Sequence, residues 1–387
     1  MDRLNHSPQN AGATNNAGAR ILSRTHRCGN PFPRVFTAIA TLLLCAAPAI
    51  AAPVEEVNVI TERDAECDIA VRNALIYIAS RQADDGHWSS PYGRNTGVCS
   101  LAVMAFLAAG HLPGEGPFGD VLNRGIDFVV ASQQSNGLLV KNASHGPMYS
   151  HAVATLMLAE VVGMTTGQRN RSVRDALAKA VKLLLNAQRL RRGLHRGGWR
   201  YQHTGHDADI SVSGWCVMAL KAAKNAGANV PVTAIDDAID FIKRTKVAGG
   251  GFSYQARRGG PNQARTGTGI LCLEIAGYHQ LEAGGQRHHP EAIAGGEWLL
   301  RHPFTRFNGS HFYYGIYYTC QAMFQLGGKY WQQWFGPLEK LILANQNGDG
   351  SWPAEAGSAQ GAGEIYATAM TVLALSVKYR YLPIYQR

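Results

Sequence analysis

The sequence predicts an all-α protein folded as an (α/α)6 toroid of about six inner and six outer helices. Two observations support this fold class. Segments with helical periodicity recur about six times after residue 62, at intervals of roughly 40 to 60 residues. Amphipathic segments alternate with segments that are apolar on nearly all faces, and a helix of the second kind belongs in the interior. An open helical solenoid would show the same alternation, but about six pairs complete a ring.

The predicted outer helices are amphipathic, and each runs into a loop that contains glycine and usually an aromatic residue. Glycine just beyond a helix end supplies the left-handed cap, and the aromatic ring can fold back over the helix terminus. The predicted outer segments are 69–82, 121–134, 173–188, 234–246, 298–302 and 338–346, and their loops include Gln82 to Trp88, Gln134 to Gly137 and Gln346 to Trp352.

The predicted inner helices follow these loops. Because each loop joins the end of an outer helix to the start of an inner one, all inner N-termini should meet on one rim of the ring. That rim is where we expect a ligand. The predicted inner segments are 96–109, 149–163, 210–226, 266–277, 312–326 and 364–379, and the predicted ligand contacts on the rim are Tyr149, His151, Trp215, His311, Tyr313, Tyr314, Tyr317 and Glu364.

The first 51 residues have the pattern of a Sec-type signal peptide. Arg34 precedes an apolar run of roughly 16 residues that ends in small side chains, whereas a membrane-spanning helix needs about 20. We therefore predict a signal peptide at 1–51, a short linker at 52–61 and the toroid at 62–387. The protein is expected to be exported, to a periplasm or out of the cell.

Charge and cysteine content exclude several functions. The formal net charge is +10, but the basic residues are scattered and no basic helix with interleaved aromatics occurs, so no nucleic acid is expected as a partner. No CxxC pair is present, and neither a metal nor a cofactor is predicted. Cys67 and Cys99 begin neighbouring helices, and the sequence leaves open whether an exported chain joins them.

The loops resemble a known repeat. The Q-x-x-x-G-x-W pattern at Gln82 to Trp88 and Gln346 to Trp352 is similar to the QW repeats of squalene-hopene and oxidosqualene cyclases. The alternating helices resemble the prenyltransferase/squalene oxidase repeat superfamily over residues 62–379. Squalene cyclases pair two such barrels, and this chain has one.

The stretch Asp207-Ala-Asp209-Ile210 resembles a reduced D-x-D-D motif of those cyclases. The resemblance implies that Asp209 is a general acid and Asp207 its partner, with His206 beside them as a third catalytic candidate. A second carboxylate nearby is one way to raise the pKa of a proton donor. Ile210 stands where the motif has its last aspartate.

Other interpretations of the rim residues stay open. Asp209 precedes an apolar helix and could simply cap it. His203, His206 and the two aspartates offer metal-ligand atoms, although loop histidines are more often solvated. Asp209 and Glu364 could pair for glycoside cleavage. The tyrosines that follow His311 could stabilise a carbocation or could pack the centre of the ring.

Two functional hypotheses follow. The first is an exported toroid, similar to terpenoid cyclases, that binds an apolar or prenyl-like ligand or a protein partner without established catalysis. Peripheral contact with a membrane is compatible with this role. The alternative is an isoprenoid (squalene-type) cyclase or prenyl-transferring enzyme that uses Asp209 as general acid with Asp207.

Overall fold

The computed structural model describes residues 62–143, 146–276, 288–307, 311–354 and 357–386. The predicted signal peptide and linker lie outside these residues. The described part is helical and contains no strand, as predicted. Six outer helices alternate with six inner ones. The outer helices are α1 (Glu62–Ser80), α3 (Gly119–Ala131), α5 (Gly167–Ala187), α7 (Val232–Arg244), α9 (Pro290–Arg301) and α11 (Gly328–Leu343), the inner helices are α2 (Thr96–Ala108), α4 (Met148–Val161), α6 (Ile210–Asn225), α8 (Gln263–Ala276), α10 (Phe312–Leu326) and α13 (Glu364–Leu375), and α12 (Gly357–Ala362) is a short extra helix.

The inner helices form a closed ring. Each packs on the next in the order α2, α4, α6, α8, α10 and α13, and α13 returns to pack on α2. The prediction of a toroid, rather than an open solenoid, is confirmed. The burial pattern agrees with the sequence periodicity, since all thirteen residues of α2 are buried. Four outer helices begin earlier and are longer than predicted: α1, α5, α9 and α11. The helix α11 contains Pro337, a residue usually excluded from helix interiors.

The C-terminal segment covers one end of the ring, namely the end at which the inner helices terminate. The Tyr385 hydroxyl lies 2.7 Å from that of Tyr317 on α10, and the Ile384 amide donates to the Glu160 carboxylate on α4 over 3.2 Å. Burial raises the pKa of Glu160 to about 8. The opposite end, where the inner helices begin, carries the cavity described below.

In four of the loops, one glutamine joins an outer helix to the next. Gln82 donates its side-chain amide to the Gly86 carbonyl in its own loop (3.1 Å) and to the Val121 carbonyl of α3 (2.9 Å). We call this paired contact the Gln staple. It recurs at Gln133, Gln188 and Gln346, whose second acceptors are the carbonyls of Ala176 on α5, Ala234 on α7 and Ala70 on α1.

The Gln346 staple closes the outer layer, because it ties the last loop to the first helix. The loop after α7 has Lys246 at the matching position. The sequence pattern predicts Gln134 as the loop glutamine of the second loop, but Gln133 is the residue that forms the staple. The side chain of Gln134 is exposed and makes no hydrogen bond among the described residues.

The loop glycine lies directly against the next outer helix. Gly197 adopts φ +88°, and a β-carbon there would lie 1.8 Å from the Asp237 carbonyl oxygen of α7. Gly350 has φ +90° and approaches the Asn73 carbonyl of α1 in the same way. Only glycine allows both the left-handed conformation and this approach. The loop tryptophan is fixed too, since the Trp88 indole donates to the Ile78 carbonyl over 2.7 Å.

All five cysteines in the described residues are buried free thiols, so Cys67 and Cys99 are not joined. Burial raises the pKa of the thiol of each to about 12. Among the described helices, none has the length and apolar character to cross a membrane.

The two adjacent glutamines of the second loop provide a matched test of the staple. Gln133→Ala removes two bonds to backbone carbonyls, and we expect the free energy of unfolding to fall by about 1 to 3 kcal/mol. Gln134→Ala should change it by less than about 0.5 kcal/mol, as for surface substitutions generally. Denaturant unfolding followed by circular dichroism measures both. Equal losses in the two variants would contradict the staple.

Candidate functional site

The first turns of the six inner helices surround a cavity of about 410 Å³, which we call the rim cavity. Each inner helix contributes at least one lining residue, so the expected meeting of helix N-termini is observed. Seven of the lining side chains are aromatic rings of Tyr or Trp, and no carboxylate of the described residues lines the wall. These seven are Tyr92, Tyr149, Tyr201, Trp215, Tyr254, Tyr314 and Tyr366.

Trp215 on α6 contributes a largely buried wall of the rim cavity. Its ring is 2% exposed and stacks on Tyr317, with ring centroids 5.0 Å apart and planes at 13°. Tyr314 meets Trp215 edge-on at 6.4 Å and donates its hydroxyl to the Ser211 carbonyl over 3.0 Å. Offset and edge-on arrangements are the favoured geometries of aromatic pairs. The packed rings give the cavity a rigid apolar surface.

Asp209 caps α6 and does not line the rim cavity. It is fully buried, and its Oδ1 accepts from the backbone amides of Ser211 (2.9 Å) and Val212 (3.0 Å). Its Oδ2 accepts from Arg200 over 2.8 Å. Burial raises the pKa of the Asp209 carboxyl, while the donors from Arg200 and the helix oppose the rise.

Asparagines occupy the matching position on two other inner helices. Asn95 accepts from the Val98 amide at the start of α2 (3.1 Å), and Asn262 accepts from the Arg265 amide at the start of α8 (2.9 Å). An uncharged side chain therefore performs the same task elsewhere in the ring. Capping accounts for the placement of an Asp or Asn here, and the proton-donor role inferred from the D-x-D-D resemblance has no support from the position of Asp209.

Arg200 joins the acid pair to two tyrosines of the cavity wall. Its guanidinium pairs with Asp207 over 3.1 Å and with Asp209, and it also donates to the Tyr254 hydroxyl. The same group lies over the rings of Tyr201 (4.2 Å) and Tyr254 (5.3 Å), whose hydroxyls are hydrogen-bonded to each other. The acid pair thus lies behind the wall and fixes its aromatic rings through Arg200.

His151 is a structural residue of its loop. Its Nδ1 accepts from the Leu139 amide (3.1 Å) and its Nε2 lies 3.2 Å from the Ala180 carbonyl, so both ring nitrogens are used and the ring is neutral. Burial lowers the pKa of His151 to about 4. In four other loops, the backbone amide of one loop residue likewise donates to a side chain in the first turns of the next inner helix. Those pairs are Trp88 with Cys99, Trp199 with Ser213, Phe252 with Thr266 and Trp352 with Thr368.

The remaining predicted site residues divide between the cavity and other contacts. His311 lines the cavity, and burial lowers its pKa. Tyr313 donates to the Pro353 carbonyl, and Glu364 is exposed and accepts from the Tyr77 hydroxyl of α1 over 2.7 Å. The rim cavity brings together Tyr149, Trp215, His311 and Tyr314, but it does not include Asp207, Asp209, His206, His151, Tyr313, Tyr317 or Glu364.

A metal site is not assembled by the predicted donors. His206 is exposed, and Asp207 accepts from the Gln255 amide as well as from Arg200. Within the part of the chain that the structure describes, no group of three His, Cys, Asp or Glu side chains is arranged to hold a metal ion.

A hydrogen-bonded Asp-His-Ser chain lies on the first loop. Nδ1 of His87 contacts Asp85, and Nε2 lies 3.0 Å from the Ser89 hydroxyl, which resembles the order of a catalytic triad. The matching loop after α11 has Asp349, whose carboxylate accepts from the amide and hydroxyl of Ser351 (3.0 and 2.7 Å). An aspartate here stabilises the turn in both loops, and we interpret the Asp85 contact as part of that turn.

Solved structures of two enzyme classes share this architecture. A variant of the type II terpene cyclase MstE from Scytonema, in complex with geranylgeranyl dihydroxybenzoate, matches with a TM-score of 0.54 at 12% identity, over 83% of this chain and 99% of the other. An inactive variant of the α-1,6-mannanase GH76A of Salegentibacter sp. HEL1_6, in complex with α-1,6-mannotriose, matches with a TM-score of 0.57 at 10% identity, over 80% and 99%. A GH76 α-mannanase of Bacteroides thetaiotaomicron is also similar, with a TM-score of 0.56 at 11% identity, over 83% of this chain and 97% of the other. The chain therefore has the α/α-toroid fold. No protein-family model and no curated protein matches the sequence.

The toroid uses several cavity residues that the sequence analysis did not select as ligand contacts. Tyr201, Tyr254 and Arg265 come from the loops before α6 and α8 and from the first turn of α8. Periodicity gives no side-chain direction in loops, so Tyr201 and Tyr254 carried no signal. Arg265 adjoins the predicted inner segment 266–277 and lies on the predicted rim, but nothing in the sequence marks it as a ligand contact. The capping positions could have located them, because Asn95, Asp209 and Asn262 mark where each loop reaches the rim.

Substitutions at the two aspartates test whether Asp209 acts as a buried helix cap and Asp207 as a partly exposed partner of Arg200. We expect Asp209→Ala to lower the free energy of unfolding by about 2 to 4 kcal/mol, since it removes the cap and a buried partner of Arg200. Asp209→Asn should cost less, because asparagine keeps the capping oxygen, as at Asn95 and Asn262. Asp207→Asn should cost less than about 1 kcal/mol, because its side chain is 44% exposed and solvent screens its ion pair with Arg200. Thermal and denaturant unfolding measure all three, and an Asp207→Asn loss as large as that of Asp209→Ala would contradict this assignment.

The lowered pKa of His151 predicts a specific pH dependence. In the unfolded chain His151 binds a proton near the usual histidine pKa of about 6.5, whereas in the folded protein it does so only near pH 4. The contribution of the neutral His151 ring to stability is therefore present at neutral pH and is lost as the pH falls from about 6.5 to about 4. His151→Asn keeps an acceptor near Nδ1 but does not titrate. The stability gap between wild type and variant should narrow by about 2 kcal/mol between about pH 7 and about pH 4.5. A gap that is constant with pH would show that His151 is not buried as a neutral ring.

Proposed function

We propose that the protein binds an apolar, prenyl-like small molecule in the rim cavity and that the toroid is a binding scaffold. The observation that carries this proposal is the composition of the wall: seven aromatic rings and no carboxylate among the described lining residues. Removing an unsaturated hydrocarbon chain from water against such a wall is favourable by roughly 25 cal/mol for each Å² buried. A largely preformed concave cavity is the usual form of a small-molecule site.

The alternative is an isoprenoid cyclase with Asp209 as general acid. Cyclisation initiated by protonation needs a carboxylic acid that reaches the bound alkene, and Asp209 is buried behind Arg200. Glycoside hydrolysis, the chemistry of the mannanases with this fold, needs two carboxylates at the substrate, and the described wall offers none. Binding of a prenyl-like molecule requires neither, and MstE shows that a toroid of this kind accommodates a geranylgeranyl chain.

Location and partners belong to the same proposal. The predicted signal peptide would carry the protein out of the cytoplasm, and an apolar ligand would reach it from a membrane surface. Peripheral membrane contact would then serve ligand transfer. A protein that covers the rim is the competing kind of partner.

Binding of prenyl alcohols tests the proposal. We expect farnesol and geranylgeraniol to bind the protein with micromolar affinity in isothermal titration calorimetry, and α-1,6-mannotriose not to bind. Val153 lines the cavity, and Val153→Phe should weaken binding at least about tenfold by filling the space, which is about 1.4 kcal/mol. Val130 lies in a groove on the outer layer, so Val130→Phe is the matched control and should leave binding unchanged.

Several outcomes would contradict the proposal. One is that the protein binds α-1,6-mannotriose but neither prenyl alcohol. Another is that wild type and Val153→Phe bind the prenyl alcohols with equal affinity. Incubation with squalene and shorter prenyl substrates, followed by product analysis, addresses the alternative. A cyclised product that disappears in Asp209→Asn would establish the cyclase and Asp209 as its acid.

A further inference from the structure

The rim cavity has one arginine, Arg265, whose charge is offset by no carboxylate in the part of the chain that the structure describes. Arg265, in the first turn of α8, donates from Nη1 to the Gly260 carbonyl over 2.6 Å and lies over the Tyr254 ring at 5.2 Å. It pairs with no carboxylate of the described residues. Arg200, which also lies over the Tyr254 ring, instead pairs with both Asp207 and Asp209. The two arginines that contact Tyr254 therefore differ: one is neutralised, and the other is available to a ligand.

The lining also contains hydrogen-bond donors that make no bond to the described protein, and two of them belong to aromatic rings of the wall. The Trp215 indole N–H and the Tyr149 hydroxyl make no hydrogen bond to the described protein, although both rings are packed into the wall. Trp215 is 2% exposed, so its polar atom is held within an otherwise buried ring. Neither donor atom is among the fully buried side-chain atoms without a hydrogen-bond partner, so both remain accessible to a ligand. The cavity thus offers donors and a cation, and these complement acceptor oxygens.

The net charge around the cavity limits the charge of the ligand. Arg265 contributes one positive charge to the wall, while the cluster of Arg200, Asp207 and Asp209 behind the wall has one more acid than base. His311 does not add a full charge near neutral pH, because burial lowers its pKa. A head group with a single negative charge matches Arg265, whereas a diphosphate would carry more charge than the wall compensates.

Resting on the proposed function, we propose that the preferred ligand is a prenyl-like carboxylate, whose oxygens pair with Arg265 while its hydrocarbon chain lies against the aromatic wall. The guanidinium fork matches a carboxylate, and its stacking on Tyr254 holds it in place. Arg265 then determines specificity for the head group, and the rings provide affinity for the chain. Separate residues carry the two contributions, so substitutions can separate them.

Three probes with the same chain and different heads test this inference in calorimetry: farnesoic acid, farnesol and farnesyl diphosphate. We expect wild type to bind the acid about 10- to 100-fold more tightly than the alcohol, the range for a charged hydrogen-bonded pair, and more tightly than the diphosphate. Arg265→Gln should abolish the preference for the acid over the alcohol. Arg258 is an exposed arginine of the preceding loop, and Arg258→Gln removes the same charge as a matched control that should keep the preference.

The outcomes distinguish this inference from the function on which it rests. If wild type binds acid and alcohol equally, or binds the diphosphate most tightly, the carboxylate inference is wrong and the proposed function stands. If none of the three binds, both fail. If Arg258→Gln loses the preference as Arg265→Gln does, the effect is one of overall charge and the assignment to Arg265 is overturned. Arg265→Lys, which keeps the charge without the fork, should retain part of the preference and guards against a folding defect in Arg265→Gln.

Discussion

A side-chain amide that bonds two backbone carbonyls is the contact on which the toroid depends. In each Gln staple, one amide nitrogen bridges the glycine carbonyl of its own loop and a carbonyl of the next outer helix, as Gln188 does between Gly197 and Ala234 at 2.9 and 2.8 Å. Buried carbonyls need a partner, and the staple provides one to two chain segments at once. Because the Gln346 staple reaches Ala70 of the first helix, the same contact that spaces the repeats also closes the ring.

The inner layer depends on the same loops. In five of the described loops, a backbone amide points at the start of the following inner helix, and a side chain in that helix's first turns accepts it; Cys99, Ser213 and Thr266 are examples. Short acceptors at these positions need little space, and the rest of each inner helix is free to be apolar. The polar groups near the rim are thus mostly engaged in fixing loops, which leaves an aromatic cavity wall with few groups available to a ligand.

The fold was predictable from the sequence because repetition amplifies a weak signal. A single Gln-Gly-aromatic loop predicts only a turn, but about six of them at regular spacing, each between an amphipathic and an apolar helix, predict a ring. The boundaries of the inner helices are accurate for the same reason, with α10 matching at both ends. The errors lie where local rules conflict with packing, as at Pro337 inside α11.

The site was less predictable, since single residues do not repeat. His151 and Asp209 are unusual in sequence, and each proves to be a variant of a repeated structural position, with Thr266 and Asn262 as counterparts on α8. Their roles become visible only when the repeats are superposed. Arg265 is the opposite case: an arginine at a helix start has no distinctive sequence pattern, and the role proposed for it rests on the residues that surround it.

The hydrogen bonds of the acid pair explain why the stretch that resembles D-x-D-D lies behind the cavity wall. Asp209 accepts from three donors at once: two amides of α6 and Arg200. Proton donation to a ligand would require the carboxyl to face the cavity and to carry a proton, and both conditions compete with these contacts. Arg200 instead carries the effect of the acids to the wall, where its stacking on Tyr201 and its bond to Tyr254 orient two of the seven rings. The acid pair therefore acts on the cavity through the geometry of its aromatic wall.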